Sequence, residues 1–264
     1  MIPAKRRIRI LELLRHEDMR SIQDLAAELD VSHMTIRRDV AELERAGQVL
    51  AVTGGVRLAG RMLTEPGHDE KMLAQVEQKR AMAVALAERI GDGRAVYLDA
   101  GTSTFAVAPL LTGRSGLTVV TNDFAIAAYL MDFPEIELFH TGGRVDHANR
   151  SAVGDFAAAT VAGLRLDVAV VSCSSWDALG VTTPSEAKVG VKRAAMVSSA
   201  VTVLLADSTK FGRRALHRVA GLDSFDVVVT DDGLAADDAE AVAAAGVELV
   251  VCAVGAQAAA VAGQ

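Results

Sequence analysis

Only two cysteines occur in 264 residues, Cys173 and Cys252. They lie far apart and form no metal-spacing motif, which argues against a zinc module. Both read as reduced core thiols of a cytoplasmic protein. Aromatics are equally scarce, 4% of the chain with a single Trp. With 51% hydrophobic residues, the core has to be built from Ala, Val, Leu and Ile, a composition that suits an α/β protein. No signal peptide is recognisable. No apolar run is long and unbroken enough to span a membrane, and the Ala-rich stretch from Leu234 is interrupted by acids and glycines. A soluble, cytoplasmic protein is expected, with no membrane partner. Positive charge is also lacking: the net charge is −7, and ten Lys/Arg against nine Asp/Glu between Met1 and Leu58 leave that stretch at +1 and the remainder at −8. Any attraction to nucleic acid must therefore come from local clusters, such as Lys5, Arg6, Arg7 and Arg9, or Arg37 and Arg38.

What is present is organised around Asp30 to Ala46. Ser32 is a good N-cap, and Val31 before it can staple onto Ile36. Ile36, Val40 and Leu43 recur at i, i+4 and i+7, one apolar stripe. Met34, Arg38 and Arg45 point the opposite way, Arg37 lies on the flank, and His33 sits near the open first turn. Such a helix fits a major groove, where Arg can fork onto guanine or hold phosphate; taken alone, it reads equally well as a surface helix with solvated arginines. Upstream, Ser21 to Leu29 forms a short helix capped by Ser21, and only Asp30 and Val31 separate the two, the turn of a helix-turn-helix. Arg7 to Arg15 forms a third helix. Gln48 to Leu58 reads as a hairpin around Gly54-Gly55. Three helices and a hairpin make a winged helix-turn-helix.

The run VSHMTIRRDVAELERAG followed by TGGV resembles the N-terminal domain of DeoR-family bacterial transcription regulators, with Thr53 where that family usually has His. The DNA contacts this assigns are Arg6, Ser21, Ser32, His33, Thr35, Arg37, Arg38 and Arg45, of which Thr35, Arg37 and Arg38 carry the most weight.

The rest of the chain is expected to begin with a linker over 59–75, whose 59–70 portion shows no periodicity, so that the domains run 1–58 and 76–264. Met72 to Ile90 reads as one helix. Short apolar runs then alternate with helices: strands at Ala95–Leu98, Leu117–Thr121, Ile136–His140, Val168–Ser172, Val201–Ala206, Val227–Thr230 and Glu248–Cys252. Helices fall at Thr104–Leu111, Ala125–Met131, Asp155–Gly163, Glu186–Ser198 and Ala235–Ala245. The alternation implies a mostly parallel sheet covered on both faces, with ligands at the carboxyl ends of its strands. Those ends carry Asp99-Ala100-Gly101-Thr102-Ser103-Thr104, Thr121-Asn122-Asp123, Thr141-Gly142-Gly143-Arg144 and Asp207-Ser208-Thr209-Lys210. One such loop is an ordinary capped turn; four suggest a concave polar site.

DAGTS, VTND, TGGRV, SEAKVGVK and DSTKF are also similar to the second domain of the DeoR family. The resemblance implies a fold like that of ribose-5-phosphate isomerase and a phosphorylated-sugar effector. On that basis Asp99, Gly101, Thr102, Ser103 and Thr104 would hold the phosphate, and Asn122, Gly142, Gly143, Glu186, Lys188 and Lys210 would line the sugar end. Lys210 has an alternative partner in Asp207. Ser172-Cys173-Ser174-Ser175-Trp176-Asp177 departs from the family pattern, and Trp176 could stack on a ligand or fill a groove.

The expected function is a repressor of a carbohydrate-metabolism operon, binding double-stranded operator DNA as a dimer or tetramer and controlled by a sugar phosphate. No metal, cofactor or catalytic residue is expected. The alternative is a sugar-phosphate isomerase fused to a DNA head, with Glu186 and Asp99 as candidate acid/base groups; the isomerase family's Asp-Gly-Ala-Asp and Gly-rich lysine loops have no match here.

Overall fold

Strand-forming runs such as Ala95-Val96-Tyr97-Leu98 are apolar at successive positions, so both faces of the sheet they enter must be covered. The computed structural model describes residues 2–16, 19–45, 48–52, 54–58, 62 and 65–255. Thr53, most of the stretch 59–64 and the side chain of Arg45 lie outside the described residues.

The head comprises α1 (Pro3–His16), α2 (Ile22–Glu28), α3 (His33–Arg45), β1 (Val49–Val52) and β2 (Gly55–Leu58). Ser21 caps α2 by accepting from the Asp24 amide at 3.0 Å. The hairpin pairs Val49 with Leu58 and Val52 with Gly55, and Arg20 bridges to Val56 on its open side. Ile10, Leu14, Leu25, Ile36, Val40, Leu43 and Val56 form one buried cluster. The stripe of α3 is thus turned inward, as its spacing requires.

The single helix expected over Met72–Ile90 is two, α4 (His68–Leu73) and α5 (Val76–Ala87). Gln75 adopts a left-handed conformation, φ +52°, which breaks the run. The Lys79 ammonium of α5 reaches back to the carbonyls of Lys71 and Ala74, the latter at 2.6 Å, and satisfies the end of α4.

The second domain continues with β3 (Ala95–Leu98), α6 (Thr102–Phe105), α7 (Ala108–Leu111), β4 (Thr118–Thr121), α8 (Phe124–Leu130) and β5 (Glu137–His140). A small hairpin, β6 (Arg144–Asp146) and β7 (Ser151–Val153), precedes α9 (Asp155–Ala162) and β8 (Leu166–Val171). Then come β9 (Ser175–Asp177), β10 (Gly180–Thr183), α10 (Glu186–Val197), β11 (Ser199–Leu205), β12 (His217–Ala220), β13 (Val227–Asp231), α11 (Ala236–Ala243) and β14 (Glu248–Cys252). Seven strands form one parallel sheet in the order β14-β13-β11-β8-β3-β4-β5. Alternate residues feed two cores: Tyr97, Ala169 and Leu204 pack on α9 and α10, while Val96, Leu98 and Val170 pack on α5, α7 and α8. The segment expected as one helix from Thr104 is two short ones, α6 and α7. The antiparallel trio β12-β10-β9 and the β6-β7 hairpin have no counterpart in the sequence reading. Among the described residues no helix is long and apolar enough to cross a membrane.

Chain order reverses between β3 and β8, which are neighbours although β4 and β5 run outward from the other side of β3. Such a switch point opens a crevice beyond the carboxyl ends of the two strands.

Candidate functional site

The head presents α3. Ser32 accepts from the Thr35 amide at 3.2 Å, and the two hydroxyls lie 2.9 Å apart. His33, Met34, Arg37 and Arg38 are exposed, whereas Ile36 and Val40 are buried. Arg6 does not belong to this surface. Its guanidinium grips Asp39 of α3 with two contacts, Nε to Oδ2 at 2.5 Å and a terminal nitrogen to Oδ1 at 3.2 Å, and both residues are buried. The expected DNA contact is an inward clamp between α1 and α3, because Asp39 would otherwise be a buried lone charge. Of the other residues of that basic cluster, Lys5 is exposed, Arg7 lies 3.5 Å from Asp237 of α11, and Arg9 pairs with Glu12 at 2.9 Å.

At the switch point a cavity is lined by Glu65, Lys71, Ala100, Gly101, Thr102, Ser103, Ser172, Cys173, Ser174, Lys188, Lys192 and Lys210. The β3 loop supplies 100–103, the β8 loop 172–174, and α10 the two lysines four residues apart. Gly101 is required here, since a Cβ on it would stand 2.8 Å from the Ser172 hydroxyl. Below the cavity, Asp99 accepts from the Ser172 amide and hydroxyl, each at 2.9 Å, and from the Lys192 ammonium. Lys192 also donates to the Ser172 carbonyl at 2.9 Å. Lys210 pairs with Asp207 at 3.0 Å, Lys71 donates to Asn149 Oδ1 at 2.5 Å, and Lys188 contacts Glu65. The Ser103 hydroxyl, 1% exposed, has no hydrogen-bond partner among the described residues.

Four ammonium groups this close are electrostatically unfavourable. Burial, then repulsion from Lys192, lowers the Lys188 pKa to about 7. Burial, then Lys210 and Lys192, lowers Lys71 to about 8. Lys79 behind them falls to about 8, from burial and Lys210. Burial opposes the charged forms of Asp207 and Lys210 as well, but their mutual attraction wins: Asp207 titrates below the ordinary carboxylate range and Lys210 above the ordinary ammonium value. Burial pushes the Cys173 thiol up to about 12, so it lines the wall as an inert group. A site of desolvated lysines and a free hydroxyl favours an anion with several acceptor oxygens.

Residues 6–61 match the DeoR-like helix-turn-helix domain, and residues 74–232 match the DeoR C terminal sensor domain. The chain belongs to the DeoR family. It is 46% identical over 234 residues to the Escherichia coli (strain K12) protein named uncharacterized HTH-type transcriptional regulator YgbI, covering 89% of this chain and 92% of that one. It is 34% identical to the HTH-type transcriptional regulator GlpR of Haloferax volcanii, over 95% of this chain and 98% of that one. With the glycerol-3-phosphate regulon repressor of E. coli K12 it shares 31% identity, over 84% and 88%. Among solved structures, a D-ribose-5-phosphate isomerase in complex with phospho-erythronic acid aligns over 52% of this chain and 54% of that chain, at 17% identity and a TM-score of 0.39.

Of the effector residues expected from the family motifs, Gly101, Thr102, Ser103, Lys188 and Lys210 meet at the cavity. Asp99, Thr104 and Asn122 lie behind it with their polar atoms committed. Thr104 donates to the Asp99 carbonyl at 2.6 Å. Asn122 accepts from the Tyr97 hydroxyl at 2.9 Å and the Ala100 amide at 2.8 Å, and donates to the Ala152 carbonyl at 2.9 Å. They hold the loop in shape. Gly142, Gly143 and Glu186 do not line the cavity. Gly143, at φ +119° with Ala157 3.0 Å from where a Cβ would stand, permits close packing on α9, and Glu186 is exposed at the first turn of α10. Trp176 is fully buried edge-on to Phe211, ring centroids 4.8 Å apart, and fills the core. Sequence reasoning missed Glu65, Lys71 and Lys192 as lining residues, whereas Ser172, Cys173 and Ser174, singled out as a departure from the family pattern, do line the cavity. Lys192 carried a usable signal, since i, i+4 spacing from Lys188 puts both on one face of α10.

Among the described residues no group of three or more His, Cys, Asp or Glu is arranged to hold a metal ion.

Proposed function

We propose that this DeoR-family regulator is a repressor of a carbohydrate-metabolism operon, and that a phosphorylated sugar bound in the lysine-lined cavity controls its hold on operator DNA. The observation that carries the reading is one cavity lined by Lys71, Lys188, Lys192 and Lys210 together with Ser103, whose hydroxyl has no partner among the described residues. The lysines supply charge, and Ser103 and Thr102 supply donors for phosphoryl oxygens. Relatives named as repressors, one of them of a glycerol-3-phosphate regulon, support the same direction of control. On the DNA side, Thr35, Arg37 and Arg38, with Ser32 and His33 at the first turn, form the reading face. A homo-oligomer follows from the need to place two heads on repeated half-sites. The ligand acts only if it binds the DNA-competent and DNA-incompetent arrangements unequally.

Catalysis gains no support from the cavity. Glu186, the nominated base, is exposed and away from the lysines, and Asp99 is tied to Lys192 and Ser172.

Fluorescence anisotropy on a labelled fragment of the DNA upstream of the gene, with a panel of sugar phosphates and their free sugars, tests this reading. Release of the DNA by one phosphosugar but not by its free sugar is expected. DNA binding indifferent to every phosphosugar would refute the effector assignment.

A further inference from the structure

Glu65 lies between the two family matches, which end at residue 61 and resume at residue 74. Although it comes from the segment joining head and sensor, its carboxylate is inside the sensor cavity and 10% exposed. Oε1 contacts the Lys188 ammonium, and Oε2 accepts from the Ser174 hydroxyl at 2.5 Å and lies 3.8 Å from the Lys71 ammonium. A carboxylate thus engages a hydroxyl and two of the four lysines that face the cavity. The remaining open volume is about 20 Å³, room for a water molecule but not for a sugar phosphate. Something must leave before such a ligand enters, and a phosphate beside a retained Glu65 would meet a like charge.

We propose that Glu65 is an internal competitor for the anion site: a phosphorylated ligand displaces its carboxylate and, in doing so, loosens the segment that joins sensor to head. This rests on the reading of the cavity as a phosphate site. The joining segment is anchored on both sides of Glu65. Before it, the Met62 amide donates to the Arg214 carbonyl at 2.9 Å; after it, the His68 amide donates to the Ala148 carbonyl at 2.8 Å. Among the described residues, the Glu65 carboxylate is the contact between them that an anion can replace. The exchange conserves the pairing of Lys188 and changes only whether its partner is part of the chain. Ligand occupancy and the seating of the joining segment are then coupled, and the coupling is reciprocal.

The test uses the full-length protein, inorganic phosphate as probe and isothermal titration calorimetry. If Glu65 occupies the donors about nine-tenths of the time, Glu65→Gln should bind phosphate about tenfold more tightly than wild type, because the competent fraction sets the apparent affinity. Glu65→Gln combined with Lys188→Gln should lose that gain, which ties it to the cavity. In wild-type protein saturated with phosphate the Met62 and His68 amide hydrogens should exchange about fivefold faster than without it, and in Glu65→Gln they should exchange fast from the start. Equal phosphate affinity of Glu65→Gln and wild type overturns the competition while leaving the phosphate site standing. Weaker binding by Glu65→Gln overturns it by making Glu65 part of the ligand's own binding set. Phosphate binding to neither protein removes the phosphate site and the proposal together, and unchanged exchange of the Met62 and His68 amides overturns the loosening of the segment.

Discussion

Lys192 and Asp99 form a buried ion pair under the sensor cavity, their side chains 5% and 2% exposed. The carboxylate directly follows β3, the ammonium belongs to α10, and Ser172, just after β8, hydrogen-bonds to both. Three elements thus meet at one pair of charges. Removing one partner strands the other in a desolvated place. Asp99→Asn should therefore lower the unfolding free energy of the sensor domain by about 3–5 kcal/mol. Urea unfolding followed by far-UV circular dichroism measures this; a loss below about 1 kcal/mol, the scale of an exposed pair, would mean the two charges do not depend on each other.

The head contains a matched comparison. Arg6 is clamped on buried Asp39, whereas Arg9 pairs with Glu12 in the open, with half of each side chain or nearly so exposed. Arg6→Ala should destabilise the head by about 3–5 kcal/mol and Arg9→Ala by less than about 1 kcal/mol. Thermal unfolding of both variants, with wild type alongside, checks the ordering. Equal stability of the two would contradict the clamp.

Arg38 stands exposed on the outer face of α3. Arg38→Ala should weaken operator binding by at least about 1 kcal/mol while leaving the melting temperature unchanged, since it supports no buried contact. Affinity equal to wild type would remove Arg38 from the interface.

The depressed lysines give the ligand a pH profile. Lys188 titrates at about 7 and Lys71 at about 8. An incoming anion favours their protonated forms, so binding takes up protons and weakens as the pH rises from 7 to 9. On the acid side a phosphate monoester loses its second charge below about pH 6. Phosphosugar affinity should therefore pass through a maximum near neutrality. Calorimetry in buffers of different ionisation enthalpy should show net proton uptake at pH 8. A flat affinity between pH 7 and 9 would place the anion away from these lysines.

Much of the fold was legible because its signals are local. Ile36, Val40 and Leu43 mark the inner face of α3, and Ser21 and Ser32 sit where an orphan amide needs an acceptor. Apolar runs such as Glu248–Cys252 became the strands they resemble. What escaped depends on distant partners. Nothing local in Gln75 marks a helix break; its left-handed turn is sustained by Lys79 reaching the carbonyls of α4. The β9 strand mixes Ser175, Trp176 and Asp177, and among the described residues it pairs only with β10 and with Phe211. The hydroxyl loop 101–103 was visible because its residues are contiguous. The lysines that complete the cavity come from α4, α10 and the loop after β11, and spacing reveals only the pair within α10. Glu65 carried no signal, lying in a stretch without periodicity. Asp99 and Arg6 were visible as polar residues but misassigned as contacts, since a sequence does not show which charges have been buried against each other.

In the proposed control, occupancy of the lysine cavity governs the hold of the head on operator DNA. The most direct measurement is the operator affinity of wild type and Lys188→Gln, each with and without the releasing phosphosugar. Wild-type affinity should fall at least about tenfold on adding the ligand, 1.4 kcal/mol of coupling, with no change in Lys188→Gln. The same ligand-induced loss in both proteins would contradict it.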